Sequence, residues 1–280
     1  MRQRRRWAAD ASQGGEKHYI ASISLESPMH RLLPAALLAT LSLPAFVPLA
    51  AAQERSAWRL DLEAGVTFQT YNSVRVDGRT GTRFDMNSLQ GEPASPFLRA
   101  TLEADPWQRH GFRLAYQYLR NEGSGALPTA TTFTTGIFAP GVRTTGHYRF
   151  DTWRATYRYT LVQNESFRLR IGLTGLIRDA EIRLSQGALV RRDADVGFVP
   201  LLHASFDWRI APRVTLMGEI DALGASQGRA IDLGLRAAYD LDRNWQVTGG
   251  WRFLDGGVDN KDVFNFARFH TLTAGVAYRF

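Results

Sequence analysis

The chain contains no cysteine, which removes disulfide frameworks, thiolate metal sites and thiol nucleophiles together. Lysine is scarce as well: beyond residue 52 it occurs once, at Lys261, and arginine carries the rest of the positive charge. Long apolar runs are missing from the same region, so no segment there approaches the roughly 20 residues that a membrane-crossing helix needs. No glycine loop follows a strand and opens a helix to cradle a phosphate, and no metal ligands stand at usable spacing. The run from Asp255 to Asp262 has acids at calcium-loop intervals, yet it lacks the closing acid and the flanking helices of such a loop. These absences predict no catalytic residue, no metal and no cofactor.

The formal net charge of +7 overstates the charge of the folded part. Residues 1–52 hold six Lys+Arg and three Asp+Glu, which leaves 28 against 24 in the remainder. Acids are interleaved with the arginines there, so no phosphate-binding stripe forms and nucleic acid is not an expected partner. From Met29 the sequence has the form of a secretory signal peptide. His30 and Arg31 make a short basic start, Leu32 to Leu49 is rich in Leu and Ala, and Ala50-Ala51-Ala52 offers small residues for cleavage before Gln53. Pro34, Pro44 and Pro48 interrupt the apolar stretch and suit it poorly to permanent anchoring. Residues 1–28 are polar and basic, and the simplest account is a start codon placed upstream of the true one. The division predicted is an extension over 1–28, a leader over 29–52 and one folded unit over 53–280.

What is present after residue 53 is alternation of period two, the mark of strands with one apolar and one polar face. Trp58, Leu60, Leu62, Ala64, Val66 and Phe68 alternate with Arg59, Asp61, Glu63, Gly65, Thr67 and Gln69. The last segment behaves likewise, with Leu272, Ala274, Val276, Tyr278 and Phe280 set against polar or small neighbours. Eight further strands are predicted near 96–105, 111–121, 148–161, 167–178, 195–209, 213–223, 230–240 and 245–254. Connections near 106–110, 162–166, 210–212 and 241–244 are tight and carry turn residues. The alternate connections, near 70–95, 122–147, 179–194, 224–229 and 255–268, read as longer polar loops.

Short turns at one end and long loops at the other predict an all-β, closed antiparallel transmembrane β-barrel of ten strands, with eight or twelve as alternatives. Aromatic placement separates this from a soluble barrel with an apolar interior. Trp58, Trp107, Phe112, Tyr159, Phe167, Trp208, Tyr239, Trp245, Tyr278 and Phe280 all fall at the short-turn ends of the strands, as interfacial rings do at a bilayer boundary. Phe68, Tyr118, Phe198 and Phe253 form a looser set at the other end. On the same register Arg99, Glu103, Arg154, Arg158, Arg168, Arg170, Asp207, Glu219, Asp221, Asp232, Arg236 and Arg252 point into the lumen, a face too charged to be a soluble core.

The ending Leu272-Thr-Ala-Gly-Val-Ala-Tyr278-Arg-Phe280 resembles the C-terminal signature of Gram-negative outer-membrane proteins. That resemblance implies export by the Sec route, periplasmic chaperones and insertion by the barrel-assembly machinery, with Tyr278 and Phe280 in the assembly signal. It implies residence in the outer membrane and no particular substrate.

Function divides into three classes at this stage. Arg154, Arg158, Arg168 and Arg170 lie on adjoining strands, and Glu219, Asp221, Asp232 and Asp240 on another adjoining pair, with Arg236 beside them. Facing ladders would set up a transverse field in a narrow porin-like passage; paired with each other, the same charges fill the barrel and leave it structural. An enzyme acting on lipid A or phospholipid would need a base at the far rim, where His147, His270, Asp179 and Glu181 fall; the family patterns of such enzymes are missing around His270. His203 faces the lumen near Asp207, and His110 lies in a turn. A surface-binding barrel would use its outer arginines, Arg143, Arg149, Arg191 and Arg192, against lipopolysaccharide or another partner.

Overall fold

The computed structural model describes residues 58–89 and 94–280; the predicted extension over 1–28 and leader over 29–52 lie outside the described residues. Ten long strands run antiparallel, each paired with the next: β1 (Trp58–Val76), β2 (Ala94–Ala104), β3 (His110–Ala126), β4 (Arg143–Gln163), β5 (Phe167–Gln186), β6 (Leu189–Ala211), β7 (Val214–Ala225), β8 (Gly228–Asp240), β9 (Trp245–Asp259) and β10 (Val263–Arg279). β1 also pairs with β10, from Arg59 opposite Arg279 to Val76 opposite Val263, so the sheet closes on itself. Closure gives the strand backbones partners on both sides, as the expected transmembrane barrel requires. The barrel and its strand number are those the alternation predicts.

The tight turns lie where proline, asparagine and aspartate marked them. In three hairpins one side chain does the same work. Asn164 accepts from the N–H groups of Ser166 (3.0 Å) and Phe167 (2.7 Å), and Asp242 accepts from those of Asn244 (2.8 Å) and Trp245 (2.7 Å). At the far end Asn260 does so for Asp262 and Val263. Each satisfies main-chain donors that a sharp reversal would leave open. The bonds from Trp245 and Asn244 favour the charged form of Asp242 and hold its carboxyl below the usual range.

The far end differs from the sequence reading. The segment 179–194, expected as a loop, is strand almost throughout: β5 and β6 stay paired up to Gln186 opposite Leu189, and Gly187 turns the chain at φ +58°. β9 likewise runs through the expected loop to Asp259, and β4 begins at Arg143. The reason lies in a change of partner. Along β5 the outward row is Ile171, Leu173 and Ile177, all exposed, followed by Asp179, Glu181 and Arg183. Inward residues pass from Arg170 and Thr174 to Leu176, Ile182 and Leu184. The strand keeps its facing while the apolar side switches from the outside to the inside, which in one dimension looks like lost alternation.

Above the switch the barrel therefore has an ordinary dry core. Val74, Leu119, Tyr148, Ile182, Leu184 and Phe269 from the wall enclose Met86 and Leu89, from a single turn of 3₁₀ helix and its cap, and Phe133 and Phe138, from a small hairpin (Thr131–Phe133 with Gly136–Phe138). The described parts of the two longest loops thus fold inward and cap the lumen. A shift of register between Gln69 and Tyr71 turns Val74 and Val76 toward that core.

Candidate functional site

Below the cap, period-two geometry aims polar residues of all ten strands at one axis. The sequence-derived lumen residues are there, joined by Asp61, Glu63 and Arg113, which alternation with Leu62 and Phe112 could have supplied. Two layers of charge result. In the layer nearer the cap, Asp221 on β7 accepts from Arg113 (3.2 Å) and Arg154 (3.1 Å), while Asp232 on β8 meets Arg154 (2.5 Å) and Arg252 (3.2 Å). Glu219 is held by Arg113 and by Arg252 at 2.7 Å, and Arg99 lies 3.6 Å from it. Arg236 bridges Asp61 and Glu63, both at 3.0 Å. Arg59 also bonds Asp61 at 3.0 Å, so six arginines meet five carboxylates.

The layer nearer the turns is separate. Arg158 bonds Glu103 (2.9 Å) and Asp105 (3.2 Å), Arg168 bonds Asp105 (3.2 Å) and Asp207 (2.8 Å), and Arg170 bonds Asp207 (2.7 Å). Of the predicted basic ladder, then, Arg154 reaches the predicted acids Asp221 and Asp232; Arg158, Arg168 and Arg170 pair with acids of β2, β6 and the turn between β2 and β3. Asp240 stands apart, bonded to Arg279 at 2.9 Å and to Gln246. Pairing is what allows these groups to be buried at all, because an isolated ion out of water costs several kcal/mol or more. The cavity left among Glu103, Arg158, Ser205, Asp207, Glu219 and Arg236 has about 10 Å³ of space for a solvent molecule, enough for roughly one water.

His203 faces the lumen, as the alternation predicts, and is bound to Asp221 of the next strand and not to Asp207 of its own. Its Nδ1 lies 2.7 Å from Asp221 Oδ1 and its Nε2 lies 3.2 Å from Ser205 Oγ. Serine, histidine and aspartate in this order have the connectivity of a hydrolase triad. The surroundings give it another role. Asp221 is already shared by Arg113, Arg154 and the Thr174 hydroxyl (2.8 Å), and the cavity beside Ser205 has no room for a substrate carbonyl. The three residues form a buried relay that fixes β6 against β7.

At the far rim the candidate bases are spread out. His147 pairs with Glu122 at 3.1 Å, Asp179 accepts from Arg149 at 2.8 Å, and Glu181 lies 3.6 Å from Arg149. His270 stacks outward against Trp251 (5.7 Å) and Phe253 (5.1 Å). His110 bonds the Tyr157 hydroxyl at the turn end. No group of three metal-capable side chains occurs among the described residues. Of the outer arginines, Arg149 is ion-paired and Arg191 packs over Gly136 of the inner hairpin.

No protein-family model matches the sequence, and no curated protein matches it. Among solved structures it is similar to the outer-membrane protease OmpT of Escherichia coli, with a TM-score of 0.52 and 10% identity over 83% of this chain and 99% of that one. The translocator domain of the autotransporter NalP from Neisseria meningitidis follows at 0.40 and 14% identity, over 81% and 90% of the two chains. At 10% identity the first likeness speaks to the fold alone. The chain has the fold of the outer-membrane β-barrel proteins of Gram-negative bacteria.

Proposed function

We propose that this protein is an integral outer-membrane barrel with a structural and surface role, and that its lumen is a closed strut instead of a conduit. One observation carries the reading: two layers of ion pairs fill the barrel, and a dry apolar core sits over them. A permeating ion would have to break several buried pairs and displace Met86, Leu89, Phe133 and Phe138 from the cap. On this reading the cap end faces outside the cell and the short turns face the periplasm. Export through the Sec route and assembly through the C-terminal strand complete the proposal. The terminal residue suits that hand-over, because the Phe280 N–H bonds the Trp58 carbonyl (3.1 Å) at the seam that closes the barrel and its ring lies exposed beside Tyr278.

Planar-bilayer recording of the refolded chain tests the closed lumen. We expect no resolvable conductance steps from preparations that migrate as folded barrel. Reproducible steps with charge selectivity altered by Arg154→Glu would establish the narrow porin-like alternative in its place.

A further inference from the structure

We propose that the outer surface of β8, β9, β10 and β1, directly above the apolar band, binds the phosphate of an outer-leaflet glycolipid. The centre of the site is Asp255 on β9. Arg268 of β10, its direct cross-strand partner, donates to Oδ2 from Nε (2.9 Å) and Nη2 (2.7 Å), while Arg229 of β8 donates to Oδ1 at 2.8 Å. Asp255 is buried beneath two guanidiniums whose side chains remain 47% and 44% exposed. One carboxylate cannot occupy two five-donor forks, so donors and one net positive charge are left toward the solvent.

Aromatic rings hold these arginines in place. Arg229 lies 5.0 Å over Phe266 and Arg268 lies 6.0 Å over Phe253. Farther from the apolar band, Arg83 stacks at 4.1 Å on Phe264 and donates to the Tyr71 hydroxyl (3.2 Å) and Ser73 (2.8 Å), with Arg75 at 5.7 Å from the same ring. Guanidiniums fixed in this way lose less freedom when an anion arrives.

Ion pairing also leaves this arc with spare guanidinium: among the described residues Arg75, Arg83, Arg229 and Arg268 have two ion-pair acids, Asp255 and Asp259, whereas Arg120, Arg149 and Arg183 on β3, β4 and β5 pair with Asp151, Asp179 and Glu181. Height then selects the anion. Arg229, Asp255 and Arg268 are each two residues beyond an outward-facing Ile231, Phe253 or His270, so they sit where acyl chains give way to headgroups. A phosphate anchored by acyl chains is held at that level; a free phosphate ion has nothing to keep it there against water.

The test compares lipid A bisphosphate, the same acylated disaccharide without phosphates, and inorganic phosphate, each titrated against the refolded chain in zwitterionic micelles and read by native mass spectrometry. We expect saturable binding of the bisphosphate alone, weakened at least about tenfold by Arg229→Gln with Arg268→Gln and unchanged by Arg149→Gln with Arg183→Gln on the opposite arc. The gel shift of folded barrel on heating certifies each variant; should the double variant not fold, the exposed Arg229→Gln alone is expected to weaken binding in the same direction. Equal binding of the dephosphorylated lipid, saturable binding of inorganic phosphate, or equal losses from both arcs would overturn the assignment.

Discussion

Replacing Asp221 with alanine is expected to destabilise the folded barrel by about 3–5 kcal/mol, the range for removing one partner of a buried ion pair. The single carboxylate accepts from Arg113, Arg154, Thr174 and His203. Its loss leaves Arg113 with Glu219 and Arg154 with Asp232, and strips the acceptor from a fully buried histidine. Urea titration of the refolded chain, followed by the heat-dependent gel shift, reads the change as a lower midpoint. Because the damage comes from stranded charge, Arg154→Met added to the alanine variant should recover part of the loss. A midpoint within error of the parent for the single variant would show that the layer is hydrated and that its pairs are not needed.

The second large effect is expected in the cap. Phe269 is 1% exposed and packs at 5.7 Å against Tyr148; truncating a buried phenylalanine to alanine costs about 3–5 kcal/mol. Location makes this result informative. The cap is built on strand extensions beyond the apolar band, so Phe269→Ala should loosen the inward-folded segments around Met86 and Phe133 while the embedded part stays closed. Limited proteolysis of intact proteoliposomes is expected to cut residues 77–89 and 127–142 sooner, with the barrel's gel shift preserved. Unchanged protection of both segments would mean that the core does not hold them.

The barrel was legible in the sequence because its outward row is apolar at every second residue, the plainest possible pattern. Leu60 to Phe68 and Leu272 to Phe280 could be assigned to strands and to a facing without any structure. Beyond the apolar band the rule lapses: Asp179-Ala-Glu-Ile182 reads as the start of a polar loop, although it is a strand whose greasy face has moved inside. A parity change of that kind, Leu173 and Ile177 followed by Ile182 and Leu184, is a usable signal. Membership of the lumen was readable too, but partners were not. Arg113 and Glu219 are 106 residues apart, and which arginine reaches which acid depends on how ten tilted strands stagger around the axis. Alternation also could not place His203 on Asp221 of the next strand in preference to Asp207 on its own.

The absence of native cysteine allows the most direct test, a scan of single cysteines along β5 from Arg170 to Ser185, each carrying a spin label in proteoliposomes. Collision rates with oxygen should peak at Ile171, Leu173 and Ile177, and those with a water-soluble nickel complex at Asp179 and Arg183. Leu176, Ile182 and Leu184 should be sheltered from both. Water-soluble collisions at Leu173, or free access of either reagent to Leu184, would contradict a barrel that is greasy outside within the membrane and greasy inside beyond it.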